Sequence, residues 1–202
     1  HDLRTPLTRM KLELALLEKK IDVSTLESDI RDMEIMIEGY LSFARDQGSE
    51  KLQQIDIRKL LEEITLDIER RGQNIFLRVA NLHLITLREH AFKRCLLNLV
   101  NNSMTYAHDS KLGKKPLIEI NAYKKNNFAE ISVDDNGPGI PEEKAADAFK
   151  AFNRLDSSRG HENVGVGLGL TIARDIAQNH GGDILLEKSH LGGLRAIIKI
   201  PI

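Results

Sequence analysis

The sequence predicts an α+β protein in two parts: a helical hairpin that forms a dimeric four-helix bundle, then a mixed α/β domain with helices on one face of a sheet. Apolar residues recur at spacings of four and three in two stretches before residue 45, which predicts the hairpin. Residues 46–50 are polar, contain a glycine and lack this period, which predicts a linker. From residue 51 onward, strand-like alternation and helical periods are interspersed. We therefore expect a dimerisation domain at 1–45, a linker at 46–50 and a second domain at 51–202.

The hairpin is predicted from two coiled-coil stripes joined by a short link that contains Asp22 and Ser24. Two antiparallel helices of this length carry more apolar surface than one hairpin can bury. The sequence thus predicts a homodimer in which two hairpins form a four-helix bundle. The stripes are Leu3, Leu7, Met10, Leu14, Leu17 and Ile21, then Leu26, Ile30, Met33, Ile37, Leu41 and Ala44.

The chain opens with the letters HDLRTP, which place an imidazole beside a carboxylate and a hydroxyl one helical turn further on. His1 precedes the first stripe position by two residues, so it faces solvent, and Thr5 lies on the same face. A neutral imidazole near pH 7 is a good nucleophile, which suits phosphoryl acceptance. The alternative is an exposed histidine and threonine without a role. Pro6 frees the carbonyl of Asp2, so we expect the helix to bend there.

The second domain begins with a possible strand at 52–57 and an amphipathic helix at 58–71, which Gly72 ends. A long helix at 89–106 buries an apolar face that includes Phe92 and Cys95. Asparagines and lysines at 124–127 predict the turn of a hairpin, and Gly192 and Gly193 predict a second turn. The remaining expected strands are 75–80, 82–87, 117–123, 128–133, 183–187 and 194–200, and the remaining helices are 145–152 and 166–180.

Composition excludes several classes of function. The net charge is -1, which argues against a nucleic-acid partner held by bulk charge. Cys95 is the single cysteine, so there is no internal disulfide, and its apolar neighbours predict a buried structural thiol. No apolar run approaches about 18 residues, the length of a membrane span. A bundle helix would normally extend before His1, so we expect a fragment of a longer protein.

The long helix carries Asn98, Asn101 and Asn102 on the face away from its apolar stripe. Asparagine is a mediocre helix former, so several of them in a helix interior need a reason. An amide oxygen is a suitable ligand for Mg²⁺, which takes other ligands from water and phosphate. The alternative is a solvated polar face, and the helix alone does not decide between them.

The segment DDNGPGI, residues 134–140, directly follows an apolar strand. A carboxylate at a strand end can accept a hydrogen bond from an exocyclic amine. Gly137 and Gly139 let the backbone turn sharply and approach a ligand closely. An ordinary acidic turn is the alternative.

A second glycine run opens the helix at 166–180, and its Gly165, Gly167, Leu168 and Gly169 are candidate ligand contacts. Glycines before a helix N-terminus expose backbone N–H groups to an anion. The run is neither a Walker P-loop nor a Rossmann fingerprint, and alone it is a weak signal. The polar run before it predicts a mobile loop, where two arginines could meet phosphate oxygens. These arginines are Arg154 and Arg159.

Taken in order, the motifs HDLRTPLT, NLVNN, DNGPGI, FKAF and GVGLGL resemble those of bacterial two-component sensor histidine kinases. The resemblance covers essentially the whole chain. The acceptor motif reads as in the EnvZ-like group through Thr8 and Arg9. The resemblance implies that residues 51–202 form an ATP-binding α/β sandwich of the histidine kinase, gyrase and Hsp90 type, with ATP and Mg²⁺ as cofactors.

The resemblance also implies a role for each matching residue. His1 would accept the phosphoryl group. Asp2 would orient the imidazole of His1 and act as general base, and Thr5 would position water for dephosphorylating a partner. Asn102 would ligate Mg²⁺ with Asn98 assisting. Two positions depart from the family pattern: Val166 and Thr105 replace residues that commonly contact phosphate. Around the nucleotide, Asp135 would bind the adenine amine and Tyr106 would flank the ring. The pocket and its lid would be shaped by five glycines: Gly137, Gly139, Gly165, Gly167 and Gly169. Two aromatic residues would pack beneath the lid, Phe149 and Phe152.

The implied partners are a second copy of the chain and the receiver domain of a response regulator, with no nucleic acid. The chain would be the cytoplasmic portion of an inner-membrane sensor protein, with any membrane contact through upstream segments. A dimeric ATP-binding switch or scaffold without kinase activity is the alternative. A gyrase-like or Hsp90-like ATPase is disfavoured, because asparagines occupy the region where those enzymes need a catalytic glutamate.

Overall fold

The computed structural model describes residues 50–107, 115–151 and 167–202, together with Met10, Ile30, Met33 and Ile37. The chain divides into two compact units, residues 1–49 and residues 50–202. In the first unit, the four described residues are helical. Ile30 is buried, whereas Met10 and Met33 are each 45% exposed. The four-helix bundle and the dimer remain predictions.

The second unit is built on a five-stranded mixed sheet and a separate two-stranded antiparallel sheet. In the large sheet the first neighbouring pair is parallel and the others are antiparallel. The strands are β1 (Gln53–Asp56), β2 (Asn74–Ala80), β3 (Leu84–Leu87), β4 (Leu117–Lys125), β5 (Phe128–Asp135), β6 (Asp183–Lys188) and β7 (Leu194–Pro201). The large sheet has the order β2-β4-β5-β7-β6, and β1 pairs with β3.

Three helices bury their apolar stripes against this sheet: α1 (Ile57–Arg70), α2 (Glu89–Ala107) and α3 (Gly169–Asn179). α1 begins at Asp56, whose side chain accepts a hydrogen bond from the backbone N–H of Lys59. Side chains alternate between the two faces of a strand, so each strand presents one apolar row to the helices. The result is a two-layer α/β arrangement.

The strand register separates an apolar face from a charged one. Ile120, Val133 and Ala196 are partners across β4, β5 and β7, and all three are buried in the core. The next row, Glu119, Asp134 and Arg195, lies on the opposite face. The helices thus cover one face of the sheet, as the sequence predicts.

Helix α2 is anchored at its start and in its middle. The two carboxylate oxygens of Glu50 accept hydrogen bonds from the backbone N–H groups of His90 (2.7 Å) and Ala91 (3.1 Å), which satisfies two free donors of the first turn. Cys95 is fully buried, and its Sγ lies 3.3 Å from the carbonyl oxygen of Ala173 in α3. The prediction that this thiol is buried is thus confirmed, and burial raises the pKa of Cys95 to about 12.

The predicted helix at 145–152 is wrong. The chain instead forms two 3₁₀ turns, Glu142–Lys144 and Asp147–Phe149. An eight-residue segment gains few helical hydrogen bonds for the cost of nucleation, so tertiary contacts decide its shape. Here Thr171 donates its hydroxyl hydrogen to the carbonyl of Phe149 at 2.9 Å, and Lys150 is already extended.

The strand predicted at 82–87 begins two residues late, at Leu84, because Asn81 adopts a left-handed turn with φ of 51°. Leu82 is nevertheless buried. The hairpin of β4 and β5 is confirmed, with its turn at Asn126 and Asn127. Among the described residues, no helix combines the length and apolarity needed to cross a membrane.

Candidate nucleotide-binding site

Asp135 is the last residue of β5 and lies at the centre of the candidate site. Its side chain faces α2 and is only 2% exposed. Oδ1 accepts hydrogen bonds from the backbone N–H groups of Gly137 (2.9 Å) and Leu194 (3.0 Å). Both amides bind the same oxygen, so the orientation of the carboxylate is fixed by two loops. A fixed, buried acceptor of this kind suits recognition of a donor such as an exocyclic amine.

The surroundings of Asp135 disfavour its charged form. Burial raises the pKa of this carboxyl, although the amides of Leu194 and Gly137 and the hydroxyl of Ser103 act in the opposite direction. The neighbouring charge of Asp134 raises the pKa further. A ligand that donates a hydrogen bond to the carboxylate would relieve part of this penalty, which favours binding of a donor here.

Two predicted glycines bring the loop after β5 against its neighbours. A Cβ on Gly137 would lie 3.0 Å from the carbonyl oxygen of Tyr106, so only glycine lets the loop approach α2 this closely. Gly139 has φ of 72°, and a Cβ there would lie 3.2 Å from the carbonyl oxygen of Gly193. The loop, helix α2 and the turn between β6 and β7 therefore meet around Asp135.

Asn98, on α2, has an unsatisfied polar group. Its side-chain Nδ2 is buried and has no hydrogen-bond partner among the described residues. A buried donor without a partner costs free energy, about 1–3 kcal/mol, unless a ligand or water satisfies it. Asn102 follows one turn later and is half-buried. A ligand bound beside this asparagine pair could therefore accept the hydrogen bond that the Nδ2 of Asn98 does not make within the described residues.

The start of α3 lies beside Asn98, because a Cβ on Gly169 would be 3.8 Å from the backbone oxygen of that asparagine. Gly167 has φ of 77°, a conformation that favours glycine, and Leu168 is the N-cap residue. Within the described part of the chain, no side chain makes a capping hydrogen bond to this helix. Its first N–H groups are therefore not satisfied by a capping side chain, which suits an anion such as a phosphate.

Phe149 is held against α3. Arg174 lies over the Phe149 ring, with its guanidinium carbon 4.4 Å from the ring centroid. The same guanidinium donates to both carboxylate oxygens of Asp183 at 2.8 and 3.0 Å. This pairing raises the pKa of Arg174 and lowers that of Asp183. The segment leading into the predicted lid is thus fixed at Phe149.

The structure brings together the predicted residues that it describes on α2, on the loop after β5 and at the start of α3. Phe149, at the end of the second 3₁₀ turn, contacts Thr171 and Arg174 of α3. The predicted residues that lie outside the described part of the chain are His1, Asp2, Thr5, Phe152, Arg154, Arg159 and Gly165.

Three residues of the site were not assigned a role from sequence. Gly193 was interpreted only as a turn glycine, yet its N–H donates to the Asp135 carbonyl at 3.1 Å. Leu194 donates its N–H to the Asp135 side chain. Ser103, on the apolar stripe of α2, is buried and donates its hydroxyl to Asp135. A polar residue within that apolar stripe is the sequence feature that could have indicated its role.

The donor groups present fit a Mg²⁺-nucleotide. The described residues contain no group of three or more His, Cys, Asp or Glu side chains that could hold a metal ion. A protein site of amides, completed by phosphate oxygens and water, is the arrangement that Mg²⁺ tolerates. The unpaired Nδ2 of Asn98 and the first N–H groups of α3 are hydrogen-bond donors, so they support binding of the phosphate oxygens, whereas Mg²⁺ would take a side-chain amide oxygen as its ligand.

Residues 88–202 match the profile of a family described as "Histidine kinase-, DNA gyrase B-, and HSP90-like ATPase". The sensor histidine kinase GtrS of Pseudomonas aeruginosa is 34% identical over 203 residues, which cover 100% of this chain and 40% of GtrS. The sensor histidine kinase CpxA of Escherichia coli is 30% identical, with coverage of 100% and 45%. The chain thus spans less than half the length of these curated relatives.

A solved structure supports the same likeness. The catalytic domain of the histidine kinase ThkA superposes with a TM-score of 0.63 at 25% sequence identity. The match covers 75% of this chain and 97% of that domain. The resemblance to the catalytic portion of sensor histidine kinases is therefore confirmed.

Proposed function

The chain belongs to the family of histidine kinase-, DNA gyrase B- and HSP90-like ATPases, and we propose that it is the catalytic portion of an ATP-dependent protein-histidine kinase. In this proposal His1 accepts the γ-phosphoryl group of ATP and passes it to an aspartate on the receiver domain of a response regulator. Relatives that carry the name sensor histidine kinase support the proposal.

One observation carries the nucleotide part of the proposal: buried Asp135, held by two amides, faces the helix on which Asn98 has an unpaired buried amide. Asp135 recognises the adenine amine, and Tyr106 flanks the ring. Asn98 and Asn102 hold the phosphate end. Asn102, with Asn98 assisting, would hold Mg²⁺, which would spread the negative charge that develops on the transferred group.

The chemistry at His1 is a displacement at phosphorus. A ring nitrogen forms the new N–P bond as the bond to the ADP leaving oxygen breaks, and Asp2 takes the imidazole proton as general base. The protein contributes mainly position and electrostatics, since phosphoryl transfer needs little covalent help. Catalytic roles for these two residues rest on the sequence resemblance.

The test is incubation of the chain with γ-labelled ATP and Mg²⁺. We expect an acid-labile label, because phosphohistidine is acid-labile, and we expect His1→Gln to remove it without changing ADP affinity. An acid-stable label, or a label that persists in His1→Gln, would contradict the proposal. ADP binding without any label would favour the alternative, a dimeric ATP-binding switch or scaffold without kinase activity.

The proposal includes a homodimer through the hairpin and a regulator docked near His1. Met10 and Met33 lie on the predicted stripes and are each 45% exposed in the single chain, whereas Ile30 is buried, which supports a further partner for the stripe. Because the relatives carry sensor names, we place the chain on the cytoplasmic side of an inner-membrane sensor.

A phosphatase activity toward the phosphorylated regulator completes the proposal. The Thr5 hydroxyl, one helical turn from His1, would align water for attack on the acyl phosphate. Thr5→Ala should keep autophosphorylation within a few-fold and slow the decay of phospho-regulator by about two orders of magnitude, or ~2.7 kcal/mol of barrier. A decay rate equal to that of the wild type would exclude this role.

A further inference from the structure

Asp134 and Asp135 are neighbours at the end of β5 that face opposite sides of the sheet. Asp135 faces α2 and the candidate nucleotide site. Asp134 lies on the charged face, opposite the helices, and is fully buried. Adjacent carboxylates that point apart can be bound by two different sets of groups. Here each set includes a group from the turn between β6 and β7.

This turn, residues 189–193, connects β6 to β7, and we call it the clamp turn. The Ser189 N–H donates to the carbonyl of Gly193 at 2.8 Å, which closes the turn. Gly193 donates its N–H to the Asp135 carbonyl, and Leu194, directly after the turn, donates to Asp135 Oδ1. On the other face, the Ser189 hydroxyl donates to Asp134 Oδ1 at 2.9 Å. The clamp turn is therefore bound to both carboxylates.

Two serine hydroxyls and the His190 ring surround the buried carboxylate of Asp134. Its second oxygen, Oδ2, accepts a hydrogen bond from the Ser132 hydroxyl at 3.0 Å. The His190 ring lies between two carboxylates, with Nδ1 3.5 Å from Asp134 Oδ1 and Nε2 3.2 Å from Glu119 Oε2. Hydrogen bonds to a charged acceptor are about twice as strong as neutral ones. The Ser189 hydroxyl is therefore bound to a carboxylate, that of Asp134, whose position strand β5 fixes.

We propose that Ser189 and Asp134 are positioning residues for nucleobase recognition, because they fix the clamp turn whose amide orients Asp135. This inference rests on the proposed nucleotide site. The bond from Ser189 to Asp134 adds to the Gly193 N–H bond and to the pairing of Asp134 with Arg195 in the sheet. Without it, the clamp turn would hold the Leu194 N–H less firmly against Asp135. The carboxylate would then lose the orientation that distinguishes an amine donor, as on adenine, from a carbonyl, as on guanine.

The chain offers a matched control. Ser132 and Ser189 are both buried, and each donates its hydroxyl to one oxygen of Asp134. Only Ser189 belongs to the clamp turn. Each substitution removes one hydroxyl bond to Asp134, and Ser189→Ala also removes the bond that the Ser189 hydroxyl oxygen accepts from the Leu191 N–H at 3.1 Å. A purely structural role would therefore lower the melting midpoints of both variants without a loss of affinity that is specific to ADP.

The experiment measures dissociation constants for Mg²⁺-ADP and Mg²⁺-GDP on the full chain by calorimetry, with melting midpoints of each variant. We expect both variants to lower the melting midpoint by about 3–10 °C. Only Ser189→Ala should weaken ADP binding, by about three- to tenfold, while GDP binding stays unchanged. If Ser189→Ala does not fold, Asp134→Asn takes its place, with the same direction expected.

The outcomes separate this inference from the proposed function. A wild-type chain that binds neither nucleotide refutes the nucleotide site itself. A wild-type chain that prefers ADP, with Ser189→Ala and Ser132→Ala both equal to it in affinity, refutes only the positioning role. Equal losses of ADP and GDP affinity in Ser189→Ala would also overturn it, because base discrimination would be unaffected.

Discussion

Gly193 provides a sharp test of how Asp135 is held. A Cβ added at Gly193 would overlap Asp135 Oδ1 and would lie 2.5 Å from the Gly137 nitrogen and 2.7 Å from the Asp135 carbonyl oxygen. Two of these three atoms belong to the backbone, so they cannot move away as a flexible side chain would. The Gly193→Ala substitution must therefore displace either the carboxylate or the turn.

The expected loss of ADP affinity follows from the hydrogen bonds to Asp135 that the substitution would break. Oδ1 accepts two backbone hydrogen bonds, at 2.9 Å from Gly137 and 3.0 Å from Leu194. A hydrogen bond to a charged group contributes about 1.5–3 kcal/mol. If the loss of one such bond is expressed fully in binding, ADP affinity falls about ten- to a hundredfold. Overpacking itself costs about 1–3 kcal/mol of stability.

Gly72→Ala is the control for stability. Gly72 follows α1, away from the candidate site, and has φ of 78°, which an L-residue rarely adopts, but nothing lies within 4 Å of a Cβ added there. The strain costs about 1–3 kcal/mol without touching Asp135. We expect both variants to melt at lower temperature and only Gly193→Ala to lose ADP affinity in calorimetry. Equal ADP affinity in the two variants would refute the proposal that close packing at Gly193 orients the carboxylate.

Three further predictions concern the site and its support. Asn102→Asp should abolish autophosphorylation by weakening nucleotide–Mg²⁺ binding; unchanged calorimetric affinity and activity would remove the metal assignment. Because burial raises the pKa of Asp135, ADP affinity should fall on acidification at a higher pH than an ordinary aspartate would give, and Asp135→Asn should lack this dependence. Burial also lowers the pKa of His180, whose Nε2 accepts the Arg88 N–H at 3.0 Å. The unfolded state then binds more protons, so stability should fall as the pH drops below about 6.5, and His180→Gln should flatten that slope in denaturant titrations.

The sequence predicts the part of the site in which neighbours in the chain are also neighbours in space. Asp135, Gly137 and Gly139 share one loop, so the motif itself carries their geometry. The same holds for Asn98 and Asn102, which are one helical turn apart. The elements that position them were also predictable, because their apolar periods are long and regular.

The partners that hold Asp135 could not be predicted in this way. Leu194 lies 59 residues from Asp135, and it acts through its backbone N–H, for which its side chain gives no signal. The 3₁₀ turns before Phe149 have a similar cause, since a hydroxyl from α3 binds the Phe149 carbonyl and overrides the local helical pattern. Contacts between residues far apart in the sequence thus determine these two features, and local sequence patterns do not predict them.

We propose that α2, the loop after β5, the β6–β7 turn and the start of α3 form one nucleotide site. The most direct test is a titration of the ¹⁵N-labelled full chain with Mg²⁺-ADP, followed by amide chemical shifts. We expect the side-chain amide of Asn98 and the backbone amides of Gly137, Gly169 and Leu194 to shift together with one dissociation constant, while β1 and β3 stay unchanged. Saturable shifts confined to other elements, or no shifts at millimolar nucleotide, would contradict it.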